Sequence, residues 1–188
     1  MRRLFLWWRF EGKYIPRNIK YGIKNTLRWL PTIWKDRDWD GDYIFDILAK
    51  KLEHQSDYIE KRDWHNRAQR DAETMRLVVK LIRLVQDETY AMEYMEYEDK
   101  QFHFDAIPDS TRYALRTELH SERYQEFFDK YSRQYKLLMA GKINTAWGHD
   151  IQEMEDSTKA LVLAHHNHNR CRKLLFSIME QNIEGWWD

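Results

Sequence analysis

The chain holds one cysteine, three prolines and six glycines in 188 residues. A lone cysteine, Cys171, excludes an intramolecular disulfide framework and any all-cysteine zinc site within one chain, and it fits a reducing compartment. Scarce proline and glycine leave little turn material, which favours a few long helices over many short strands. Long apolar runs are missing as well, since no stretch approaches the ~20 residues of a transmembrane helix. The run Leu4-Phe5-Leu6-Trp7-Trp8 is interrupted by Arg9, and no small-residue cleavage site follows. It is therefore not read as a signal peptide, and the expected location is the cytoplasm. A Pro/Gly/Ser-rich linker is also lacking, so 1–188 is read as one domain.

Net charge is zero, with 31 basic and 31 acidic residues, but the balance hides an asymmetry. Residues 1–35 carry Arg2, Arg3, Arg9, Lys13, Arg17, Lys20, Lys24, Arg28 and Lys35 against Glu11 alone, so 36–188 is an acidic body. A basic, Trp-rich arm of this kind docks on its own body, on a second copy, or on an anionic partner. Homo-oligomerisation through the Trp-rich ends is the expectation, and nucleic acid is not, because the cationic stripe is short. With 15% aromatic and 33% charged residues, the chain is expected to have a ring-rich interior and a soluble surface, which argues against disorder.

Hydrophobic periodicity predicts an all-α single-domain bundle of about five helices. The first covers 17–34, with Ile19, Ile23, Leu27 and Leu30 on one face and Lys20, Lys24 and Arg28 on another; Pro31 ends or kinks it. The second runs from Tyr43 to about Lys61. A long third helix spans His65 to Lys100, and a fourth 109–140, with a break near Ser121. The last covers 150–182 and stops at Gly185, leaving Trp186, Trp187 and Asp188 as an apolar hook.

Two of these helices carry polar residues where the periodicity wants apolar ones. Counting about 100° per residue from Leu161, His165, His168, Arg172, Leu175 and Met179 share one stripe, while His166 and Arg170 point away. On the third helix, Glu96 continues the line through Val78, Ile82, Val85 and Met92, and Glu93 lies about 60° from it. Buried polar groups need partners. The pattern therefore predicts a polar pocket between the third and last helices. There Arg172, His165 and His168 would contact phosphate, Asn169 or Asn167 would read a base edge, and Glu93 or Glu96 would contact ribose or a cation. A structural layer, with Glu93 and Glu96 neutralising the histidines, accounts for the same residues. Cys171 beside the stripe is read as a small core residue.

The pair Glu93-x-x-Glu96, with Glu126-x-x-Asp129 on another helix, has the spacing to hold Mg²⁺ or Mn²⁺ through oxygen ligands. These four positions resemble the Glu-x-x-Glu and Glu-x-x-Asp pairs of the all-α nucleotide pyrophosphohydrolases, which implies a metal-dependent hydrolase as the alternative function. Segregation of the Glu and His pairs on different helices departs from the pattern of carboxylate-bridged di-iron proteins. The loop Asp36-Arg37-Asp38-Trp39-Asp40-Gly41 begins like a calcium loop, but its twelfth position is Ile47, so helix capping is the expected role.

The block Trp29-Leu30-Pro31-Thr32-Ile33-Trp34-Lys35-Asp36-Arg37-Asp38-Trp39-Asp40, with the terminal Ile183-Glu184-Gly185-Trp186-Trp187-Asp188, resembles an uncharacterised family of small tailed-bacteriophage proteins. The resemblance implies an accessory protein acting in the bacterial host cytoplasm. In that setting the expected function is to bind and sequester a small anionic nucleotide immune signal, with no cofactor required and no turnover. A second alternative is a protein-binding inhibitor that uses the basic Trp arm and takes no small molecule.

Overall fold

The computed structural model describes residues 12–35, 41–62, 66–108, 111–143 and 151–186. The Asp36–Asp40 loop, residues 1–11 and Trp187-Asp188 lie outside them. Helix α1 is Ile15–Ile33, α2 Asp42–Arg62, α3 Ala68–Gln86 and α4 Thr89–Met92; strands β1 (Glu98–Ala106) and β2 (Tyr113–Glu122) follow. Helices α5 (Tyr124–Lys130), α6 (Ser132–Met139) and α7 (Asp156–Asn182) complete the order. The contacts divide the chain into two units, Met1–Lys51 and Leu52–Asp188.

In the first unit, Pro16 sits in the opening turn of α1, where its missing N–H is not needed. Pro31 does not stop the helix, which runs on to Ile33 and closes with Trp34 N–H donating to Leu30 O at 2.8 Å. Lys50 on α2 donates to Thr32 Oγ1 at 2.7 Å and lies over the Trp29 ring. None of the α1 residues is buried.

The second unit holds the described core. Ala72, Met75, Val78, Leu81, Ile82 and Val85 line the inner face of α3, which packs against α7. A second layer comes from the aromatic residues of α5 and α6. Phe127 meets Tyr97 and Tyr131 with ring centroids 5.3 and 5.2 Å apart, and Phe128 stacks on Tyr135 at 4.3 Å. Leu138, Ala160, Leu163 and Ala164 close this cluster. Gly141, at φ 65°, ends the α6 segment: its N–H reaches Leu138 O and the Lys142 N–H reaches Leu137 O, satisfying the last carbonyls.

An all-α bundle with a third helix reaching Lys100 is overturned by residues 87–122. Glu88 adopts a left-handed backbone, φ 48° and ψ 27°, and this ends α3 at Gln86. After the short α4 and a 3₁₀ turn over Glu93–Tyr97, the chain forms a two-stranded antiparallel hairpin. Its register pairs Phe102 with Thr117, Phe104 with Leu115 and Ala106 with Tyr113. Those residues alternate with Gln101, His103, Asp105, Ala114, Arg116 and Glu118, the period-two signal that the helical reading passed over. The expected fourth helix over 109–140 is accordingly β2 followed by α5 and α6. Arg123 fastens the hairpin base: its N–H donates to Tyr97 O at 2.7 Å and its Nη2 to Glu96 O at 3.1 Å. Glu98, in the same corner, accepts from Lys100 Nζ at 2.5 Å and from the Tyr124 hydroxyl.

Candidate functional site

Helix α7 turns a different face inward from the one its sequence predicts. Its buried residues are Ala160, Val162, Leu163, Ala164, Asn167, Cys171 and Leu175. Relative to the stripe drawn through Leu161, the centre of this face is rotated by about 90°. His165, Asn169 and Arg172 are exposed, and His168 is half-buried. The reason lies in side-chain size. Ala160, Ala164, Asn167 and Cys171 are small, and small residues let neighbouring helices and rings approach closely. Periodicity weighted towards large aliphatic residues places the seam elsewhere.

Asn167 thus becomes the polar residue inside the helix packing. It is 6% exposed, and its Nδ2 has no hydrogen-bond partner among the described residues. It lines a cleft of about 480 Å³ within the second unit. Leu81 of α3, Tyr90 of α4, and Tyr131 and Gln134 at the start of α6 form three sides; Arg170, Cys171, Lys173 and Leu174 of α7 join Asn167 on the fourth. With its amide turned to satisfy both ends, Gln134 accepts from Arg170 Nη1 at 2.5 Å and donates to Tyr131 O at 3.3 Å. Arg170 and Lys173 give the lining two cations, and no carboxylate is among the described lining residues. Their field also reaches His166, whose pKa is lowered by burial first and then by Arg170 and Lys173. Arg170, read as pointing away, is in the site.

Glu93 is buried as expected but has other partners. Its Oε2 accepts from the Tyr131 hydroxyl at 2.5 Å, and its Oε1 takes Lys130 Nζ. Burial and then the Glu93 carboxylate push the Tyr131 phenol well above its ordinary value, so it remains a donor at any working pH. The bond to Glu93 likewise raises the Lys130 ammonium. The polar layer therefore joins the 3₁₀ turn to the α5–α6 corner, not to the histidines of α7. It holds the hydroxyl of Tyr131, a residue of the cleft lining. Glu96 is exposed, and its backbone oxygen accepts from Arg123.

The remaining expected metal ligands are exposed and separately occupied. Glu126 pairs with Arg123 at 3.4 Å, and Asp129 Oδ1 accepts from Gln125 Nε2 at 3.0 Å. Among the described residues no three His, Cys, Asp or Glu side chains form a group that could hold a metal ion. His168 lies near Glu88, which raises its pKa; burial outweighs this, and the net shift is downward. Cys171 is buried, which raises its thiol pKa, in keeping with a core residue. Sequence reasoning missed Tyr90, Gln134 and Lys173. The α7 members were findable from the spacing Ala160, Ala164, Asn167, Cys171, Leu175, a run of small residues ending on a large one.

No protein-family model, curated protein or solved structure matches the chain. No helix among the described residues is long and apolar enough to cross a membrane.

Proposed function

We propose that the protein binds a small anionic ligand of the nucleotide class in the α3–α4–α6–α7 cleft and holds it without turnover. The observation that carries this reading is Asn167: a buried amide whose Nδ2 has no partner among the described residues, in the lining of a cleft that is rimmed by Arg170 and Lys173. Leaving such a donor unmet costs about 1–3 kcal/mol, a cost that a ligand acceptor removes once the amide turns into the cleft. The guanidinium and ammonium suit phosphate oxygens, and the Tyr90 and Tyr131 rings supply flat apolar walls for a base. A volume of about 480 Å³ falls in the range of small-molecule sites. In the phage setting implied by the Trp-rich motifs, the ligand would be a host immune signal and the role its sequestration in the cytoplasm.

The test is a thermal-shift series with cyclic dinucleotides and ADP-ribose derivatives, followed by denaturation and chromatography of the recovered ligand. A true ligand at a hundredfold excess over its Kd should add about 2.7 kcal/mol of stability. It should come back intact. Asn167→Leu should keep or raise the stability of the free protein and abolish the shift; Arg170→Ala with Lys173→Ala should abolish it as well. A panel that moves nothing sinks the reading. A chemically altered ligand replaces sequestration with catalysis.

A further inference from the structure

We infer that α1 is a docking helix for an anionic lipid surface, lying along the headgroup plane. Around α1, at about 100° per residue, Ile15, Ile19, Ile23, Leu27, Leu30 and Ile33 occupy one arc of roughly 120°. Arg17, Lys20, Lys24 and Arg28 fill the arc beside it, and the helix contains no Asp or Glu. The apolar arc is open: Ile23 is 58% and Leu27 65% exposed. Helices of soluble proteins turn such a face to a core. This one runs 19 residues without burying any of them.

Charge decides the occupant. Two copies docked α1 to α1 would match apolar arcs, but neither helix could offer a carboxylate to the four cations of the other. Nucleic acid would meet the cations and leave the apolar arc in water. An anionic bilayer satisfies both arcs together, with the isoleucines and leucines entering the acyl boundary and the Lys and Arg side chains reaching headgroup phosphates. Trp29 and Trp34 lie at the same end of the helix, as aromatic residues do at a membrane interface. The sequence ahead of α1 continues the chemistry, with Arg2, Arg3 and Arg9 around Phe5, Trp7 and Trp8. No described helix can span a bilayer, so the mode is lying on the surface.

The experiment is flotation of the full chain with vesicles of phosphatidylcholine alone or with about 30% phosphatidylglycerol, at low and at roughly 0.5 M salt. Wild type should float with the anionic vesicles, at least about tenfold less with neutral ones, and lose binding in high salt. Ile23→Asp with Leu27→Asp should abolish flotation; Lys20→Ala with Lys24→Ala should weaken it about 25-fold, at roughly fivefold per charge. These side chains are exposed, so circular dichroism and Tm should not change, and Asn167→Leu should float like wild type. Failure to float, equal flotation with neutral vesicles, or variants that float like wild type would each overturn the proposal. So would a dimer that Leu27→Asp dissociates in a protein that ignores vesicles, which assigns the face to a second copy. Binding of duplex DNA that responds to the lysine variant and not to Ile23→Asp, again without flotation, assigns it to nucleic acid.

Discussion

Helices α1 and α7 are opposites in sequence and in use. In α1 the apolar and cationic residues are cleanly separated, yet no residue is buried; in α7 histidine, asparagine and arginine are mixed among aliphatics, yet seven residues are buried. A sharp division of faces suits a helix that sits at a boundary between two media. A helix packed from several sides, as α7 is by α3, α4, α5 and α6, needs no such division. Amphipathic clarity therefore says where a helix meets an interface, and the interface need not be its own core.

The largest expected contrast is in packing. Leu163→Ala on α7 should lower unfolding free energy by about 2–5 kcal/mol through the cavity it leaves. Leu27→Ala on α1 should change it by less than about 0.5 kcal/mol. Urea titration of both variants checks this, and comparable losses would break the comparison. A smaller effect belongs to the corner that ends α3. Glu88 holds a left-handed backbone that costs a non-glycine residue roughly 1 kcal/mol, so Glu88→Gly should gain about 0.5 kcal/mol after the glycine's own entropy is counted. A loss of stability there would mean that the Glu88 side chain contributes more than its backbone costs.

The smallest contrast is in pH. His166 and His168 on α7 have pKa values lowered below the ordinary 6.5, chiefly by burial, whereas α1 contains no histidine. The unfolded chain then binds protons that the folded chain refuses, so this contribution is complete above pH 6.5 and is lost as pH falls below it. Unfolding midpoints measured from pH 7.5 down to about 5 should decline, and His166→Gln with His168→Gln should flatten that slope. An unchanged slope in the double variant would place the decline elsewhere.

Legibility followed the same division. The periodicity of α1 was plain in the sequence, and so were the extent of α2 and the last helix's stop at Asn182. The hairpin was not, because Glu93 and Glu96 matched helical spacing and carried that reading past Glu88, whose positive φ no residue type announces. Phe102, Phe104, Tyr113 and Leu115 alternate as strands do, but they are exposed, so their pattern points to no buried face. Within the site, Glu93 was correctly placed as buried. Its pairing with Lys130 and Tyr131 depends on the position of α5 and α6, which local sequence does not carry. The histidine stripe was misplaced because the seam of α7 is made of small residues.

The Glu88 corner also governs where the chain tolerates a change of length. Leu81 and Tyr90 face the same cleft from the two sides of this one left-handed step. Inserting a single residue between Val85 and Tyr90 would turn the tyrosine by about 100° on its helix and take it off the wall. A reporter peptide or affinity tag placed in this exposed corner would therefore dismantle the cleft from a distance. At the hairpin's open end Ile107 N–H donates to Arg112 O at 3.2 Å; neither residue is among the described lining of the cleft, and this connection is the better place to lengthen the chain.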